Sequence, residues 1–506
     1  MRVRSWPCDT RAGFPRMRDL ANRLDPRDRA ALTVAYLVGA WQWAAFFSWG
    51  RDSFMLAFDW IRVGYYFAAV QDAIRDRVLP LYYAAGIDGE WVNFYWAHPD
   101  TPLLPHLLLL HWLRPTVFIA LTALAFYSVG FAGVLALARR LRLSLVPTLL
   151  MLLLFLGNGY VLGHLRVGHV AWLAYFLLPW WCHYTWALAD GEALPGTSLA
   201  LAGILAVVLL DGGTHFALWC WLFLAVLATL RPATAGALVL RAACWFVLFT
   251  AVRLVPTLIV FPLGVVTHFA WMGGYDWASV WAAVSGGQPA LAPYSHYPWE
   301  LDGYLGTPLV VFLLVFGLLV PFVLPERRRH LALLAAVVPF LVAMSGDTLV
   351  HIRDRLGLPL LGGERIPTRM IVVPILVLVV QGCWALQRVL ERTGGRVRQA
   401  LGAAAVLLLC VGAFQLHAYA VLCRPYSSLP QTVPQPHLPA VPSGTGWGPL
   451  PIALVASDPT GQFHGLTFDQ IYVQAIQMGA LVTAVGLLLA AMTIARSDAS
   501  PEVPPD

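Results

Sequence analysis

Acidic and basic side chains gather in a few short stretches of an otherwise apolar chain, and those stretches lie at the edges of long hydrophobic runs. In GRDSFMLAFDWIRVGYY, Asp59 stands within a turn or so of the membrane exit that follows the first run, which puts a carboxylate at lipid-headgroup depth. The segment GHLRVGH holds His164, Arg166 and His169, DGGTH spaces Asp211 and His215 one helical turn apart, and GGERIPTRM gathers Glu364, Arg365 and Arg369. Asp100 sits between two prolines in HPDTP. Carboxylates can exchange protons with a substrate, and arginine holds an anion without losing its own proton. Each cluster also has a plainer reading, because charged groups at the ends of membrane helices snorkel to the interface.

The elements that would position these residues follow from composition. In 506 residues, 59% are hydrophobic, 12% are charged and the mean hydropathy is +0.68, which is too apolar for a soluble fold. The chain reads as an all-α, polytopic integral membrane protein. Apolar runs near 30–48, 116–137, 145–161, 169–187, 198–211, 214–230, 242–260, 307–324, 331–344, 370–387, 400–422 and 471–495 predict about twelve transmembrane helices. Apolar Phe67, Val70, Ile74 and Val78 opposite Asp72, Arg75 and Asp76 predict a helix lying in the interface plane within the first outer loop. A second interfacial helix is expected near 276–284, where Trp277 and Trp281 are four apart.

Arginine orients the chain. There is no lysine, so all 33 basic residues are Arg. With the N-terminus inside, 21 fall on inner segments and 11 on outer ones, which predicts two cytoplasmic termini. Residues 1–29 lack a signal peptide's apolar core and cleavage site, so the first span is expected to stay as an uncleaved anchor. The net charge of +6 then reflects Arg-rich flanks facing membrane lipid, with no nucleic acid as partner. The seven cysteines lie mostly in or beside spans and offer no disulfide framework.

Acids distribute the other way, with 16 of 27 on the outer side. The outer connections 49–114, 261–306, 345–369 and 424–470 are also the long ones, which is where a membrane scaffold builds its sites. The expected organisation is a cytoplasmic segment 1–29, a transmembrane core 30–423, a Pro-rich outer loop 424–470, a last helix 471–495 and a cytoplasmic tail 496–506.

The order of these pieces resembles the GT-C superfamily of glycosyltransferases, and within it the bacterial YfhO-like, polysaccharide-modifying branch. The residues that carry the likeness are Asp59, Leu79-Pro80-Leu81, Pro102 to Pro105, Gly168-His169 with Pro179, and Arg365-Ile366-Pro367-Thr368-Arg369. They span roughly residues 30–390. The chain departs from the family in having Asp59-Trp60 where many members carry paired acids, and in lacking a large outer domain after the core.

The resemblance implies transfer of a sugar from a polyprenyl-phosphate donor to a hydroxyl of a lipid or glycan acceptor, on the outer face of a bacterial inner membrane. It implies Asp59 as catalytic base and Arg166, His169, Arg365 and Arg369 as holders of the donor phosphate, with Arg253 a further candidate. Asp100, Asp211, His215 and Glu364 are candidates for acid, acceptor or metal contacts. The cofactor is left open, a divalent cation such as Mg or Mn being one option. Two other readings stand beside this one: a multi-pass transporter or flippase for a lipid-linked glycan, which would place ionisable groups at mid-membrane, and an inactive GT-C-like scaffold.

Overall fold

The computed structural model describes residues 25–51, 59–77, 82–85, 91–98, 100–191, 196–260, 277–286, 303–325, 327–344, 366–424, 462–463 and 466–499, with four isolated positions between 348 and 355. Its helices are α1 (Pro26–Phe46), α2 (Asp59–Arg75), α3 (Pro115–Arg140), α4 (Leu145–Leu156), α5 (Gly159–Arg166), α6 (Leu178–Asp190), α7 (Thr197–Leu210) and α8 (Thr214–Leu230). They continue with α9 (Ala237–Val260), α10 (Trp277–Gly286), α11 (Thr307–Phe312), α12 (Val320–Val323), α13 (Arg327–Ala343), α14 (Val372–Arg392), α15 (Gly395–Leu422) and α16 (Phe468–Ala499). Two small antiparallel hairpins, Tyr82–Ala85 with Trp91–Phe94 and Gln462–Phe463 with Leu466–Thr467, qualify the all-α expectation.

The chain is a helical membrane protein, but among the described residues six helical segments rather than twelve are long and apolar enough to cross a bilayer: Pro115–Arg140, Leu145–Arg166, Pro232–Val260, Pro367–Arg392, Gly395–Leu422 and Gln470–Ala495. Among the other apolar runs, the first forms the 21-residue α1, which is long enough but not apolar enough to join the six, and the rest are helical yet shorter. Four of them, Thr197–Leu210, Thr214–Leu230, Thr307–Val323 and Arg329–Ala343, have 10–17 residues each. The run expected at 169–187 divides into a 3₁₀ segment, Val170–Leu177, and the 13-residue α6. Local chemistry sets these breaks. Gly191 in the left-handed conformation ends α6, and Asn158 separates α4 from α5. The Asn158 carboxamide donates to the Leu154 carbonyl at 2.8 Å and to the Tyr175 hydroxyl at 2.6 Å, while its oxygen accepts from Val161 N.

α14 is the centre of the bundle, with nearly every residue from Val372 to Gln387 buried, packed among α4, α13 and the π-helical segment Leu313–Leu319. α15 and α16 lie at the periphery with much of their apolar surface exposed, as suits helices that meet lipid. α16 packs along α9, where a side chain at Gly479 would fall 2.4 Å from the Ala251 carbonyl oxygen and one at Gly486 would fall 2.8 Å from Leu248 Cβ. Small residues there bring the two backbones close.

The bundle has two chemically distinct ends. At one, Arg329 pairs with Asp190, the His330 ring stacks 3.8 Å from that of Trp384, Arg388 pairs with Glu391 at 2.8 Å, and Ser144 donates to the Gln387 carboxamide from both N and Oγ. α4 leads from this arginine-rich end, and α6 and α14 lead back to it from the other, where the N-terminus of α2, the end of α5, the α7–α8 turn and the start of the Pro367–Arg392 segment meet. Helices form at Asp59–Arg75 and Trp277–Gly286, where the two interfacial ones are expected; the first buries Val63, Tyr66, Phe67 and Val70, and Val78 lies outside the described residues.

Candidate active site

The site is built by docking the start of α2 onto the end of α5. Asp59 N donates to the Val167 carbonyl at 2.9 Å, and the fully buried Trp60 donates from Nε1 to the Leu165 carbonyl at 3.0 Å. Gly168 makes this approach possible. It sits at φ +96°, and a Cβ there would lie 2.3 Å from Trp60 N, so a larger residue would push the two segments apart.

Behind Gly168 the imidazoles line up. His169 Nε2 lies 3.3 Å from Asp59 Oδ2, and His169 Nδ1 lies 2.8 Å from His164 Nδ1. The series runs inward: the Asp59 side chain is 46% exposed, that of His169 12%, and His164 is fully buried. Trp172 stacks on His164 with ring centres 4.4 Å apart and planes 24° from parallel. The Arg369 guanidinium lies 5.1 Å from the centre of the Trp172 ring, and the His215 ring lies 5.7 Å from it. Arg369 is itself buried, in the 3₁₀ turn Pro367–Ile371.

A cleft of about 60 Å³ opens beside this array, lined by Val63, Tyr66, His98, Asp100, Thr101 and residues 168–172. Asp100 and His169 face it from opposite chain segments. The Asp100 segment is held firmly: Thr101 Oγ1 donates to the Tyr95 carbonyl at 2.7 Å, Leu103 N donates to the Leu210 carbonyl at 2.6 Å, and Gly212 at φ +93° lets the α7–α8 turn approach the Asp100 backbone. The Tyr95 hydroxyl donates to the Pro102 carbonyl at 2.9 Å. Burial pushes that phenol up to about 12, against the opposing pull of its Tyr66 bond and of Arg253, so it stays a neutral donor. Asp211 is buried at the end of α7, beside this wall.

The structure therefore brings together Asp59, His169, His215, Arg369 and Asp100, with Asp211 adjoining. Arg166 ends α5, half-buried, on the same hairpin. Glu364 and Arg365 lie outside the described residues. Arg253, a further candidate for the phosphate, is already engaged by the protein. It is buried in α9 and donates to the carbonyls of His98 and Thr101 and, at 3.1 Å, to Thr101 Oγ1, so it clamps the Asp100 loop. Trp172, Trp60 and Thr101 were not singled out from sequence. Trp172 reads there as one more interfacial aromatic, and the one pointer toward it is the neighbouring Gly168-His169 pair. Among the described residues, no three His, Cys, Asp or Glu side chains are grouped so as to hold a metal ion.

The array offers a half-exposed carboxylate, an imidazole pair behind it, of which His169 lines the cleft, and a guanidinium across an indole ring. Comparison of the chain with protein-family models, with curated proteins and with solved structures found no match.

Proposed function

We propose that the protein is a membrane glycosyltransferase of the GT-C type, moving a sugar from a polyprenyl-phosphate donor to a hydroxyl of a cell-envelope glycan, lipid-linked saccharide or glycolipid. The reaction takes place on the outer face of a bacterial inner membrane, with about twelve helices embedded and both termini cytoplasmic. The observation that carries this reading is the Asp59–His169 pair at 3.3 Å, whose His169 lines a cleft together with Asp100.

An acceptor alcohol attacks only as its proton leaves, and Asp59, half exposed and oriented by His169, is placed to take it. The new bond forms at the anomeric carbon while the bond from that carbon to the phosphate oxygen breaks, and the electron pair leaves with the lipid phosphate. Arg369, and the neighbouring Arg365, would stabilise that anion. A cleft of about 60 Å³ admits the reacting hydroxyl and its neighbours, and the rest of the substrate would lie outside it. The transporter reading calls for several ionisable groups at mid-membrane, and the one deep in a helix, Arg253, gives its guanidinium to loop carbonyls.

The test is turnover in liposomes containing the purified chain and a panel of polyprenyl-monophosphate hexoses and pentoses, read as release of polyprenyl phosphate. The wild type should consume at least one donor when an acceptor is supplied. Asp59→Asn should reduce turnover by about 100-fold or more without loss of membrane insertion. Near-normal turnover of a folded Asn variant would move the base to Asp100 or another outer acid. Movement of a lipid-linked glycan across the bilayer with no donor consumed would favour the flippase.

A further inference from the structure

The two imidazoles behind Asp59 constrain one another. His169 Nδ1 and His164 Nδ1 are 2.8 Å apart, so a single hydrogen must lie between them. If a neutral His169 carried it, His169 Nε2 would turn a bare lone pair toward the Asp59 carboxylate 3.3 Å away, and two acceptors would face each other. If His164 carries it, His169 is left with its hydrogen on Nε2, directed at Asp59 Oδ2. Only the second arrangement satisfies both contacts with two neutral rings.

His164 is fully buried and stacked on Trp172, whose ring also meets Arg369 and His215, whereas the carboxylate of Asp59 sits at the His169 end. His164 is thus the inner ring of the pair and His169 the one that faces the carboxylate.

We infer that His164 is a positioning residue which, by donating from Nδ1, locks the His169 tautomer and so holds the Asp59 carboxylate on the ring that lines the cleft. The role in catalysis rests on the transferase reading; the tautomer lock does not. The arrangement follows the general logic by which a third group fixes the ring that supports a reactive one.

Nitrogen-15 spectra of histidine-labelled full-length protein in liposomes test it directly, because protonated and bare ring nitrogens resonate apart. Signals of the 14 histidines are assigned by subtraction with His164 and His169 variants. At alkaline pH the wild type should show His164 protonated on Nδ1 and His169 on Nε2. His164→Phe keeps a ring against Trp172 but removes the donor, and should leave His169 a mixture of tautomers. His164→Asn, whose amide nitrogen occupies the place of Nδ1, should restore the Nε2 form. A wild-type His169 protonated on Nδ1, or a His169 unchanged by His164→Phe, would overturn the proposal.

With an active donor, His164→Phe should lower kcat by about tenfold to 100-fold at unchanged KM, and His164→Asn should recover most of it. Tautomer signals as expected in a protein that consumes no donor would count against the transferase reading alone. Full turnover by a His164→Phe variant whose His169 has become mixed would show that the lock has no catalytic part.

Discussion

Arg369 shows how one side chain can be read two ways. Its guanidinium lies over the indole of Trp172, whose other contacts include His164, His169 and His215. The ring contact is worth roughly 0.5–2 kcal/mol, and a charge-assisted bond to a phosphate adds about 1.5–3 kcal/mol. If Arg369 holds the departing phosphate, Arg369→Ala lowers donor affinity and turnover together, by tenfold to 100-fold on the order of those energies. Arg369→Lys restores part, because an ammonium lacks the planar fork. Donor titration and single-turnover rates on the folded variant check this. A fall in thermal stability with donor affinity unchanged would leave Arg369 as a support for Trp172.

At the scale of elements, the decisive piece is the junction of α2 with the end of α5. Gly168→Ala must hold an L-residue at φ +96° and find room for a methyl 2.3 Å from Trp60 N. The backbone conformation alone costs about 1–2 kcal/mol, and the clash adds to it. The expected outcome is a lower unfolding temperature in detergent and loss of the Asp59–His169 pair. Gly203→Ala, inside α7 with nothing within 4 Å, should be neutral or mildly stabilising in the same melt. Much of this scale was legible in the sequence. The apolar runs are helical, and α2 buries the stripe that Phe67 and Val70 announced. What hydropathy could not resolve was length, because the Gly157-Asn158 break, the 3₁₀ turn after His169 and the π-helical stretch Leu313–Leu319 are set by packing. The candidate acids and bases were visible as clusters of residue types, but their partners were not. Asp59 meets a histidine 110 positions away in the chain, and Arg253 meets a loop carbonyl 155 positions away, and no local spacing encodes either contact.

The molecule carries the cluster of Arg329 and Arg388 with their acids at one end and its candidate site at the other, with α4, α6 and α14 between them. If the arginine end is cytoplasmic, as the 21 to 11 split of Arg implies, an impermeant maleimide should label Arg51→Cys in intact cells. Arg142→Cys should react only after permeabilisation, each read above the background of the native cysteines. The reverse pattern would put the site inside and remove the outer-face transferase reading. The α9–α16 pair also sets a timetable. The Trp96 amide donates to the Tyr472 hydroxyl at 3.0 Å across 376 positions of chain, and Arg253 grips the same loop from α9. The ribosome therefore delivers the Asp100 loop long before the residues that fasten it, and the final clasp forms only when α16 has emerged and slid its glycines against α9. Closure of the Asp100 loop is thus tied to the arrival of α16, and a chain made only as far as α15 would leave that loop unfastened.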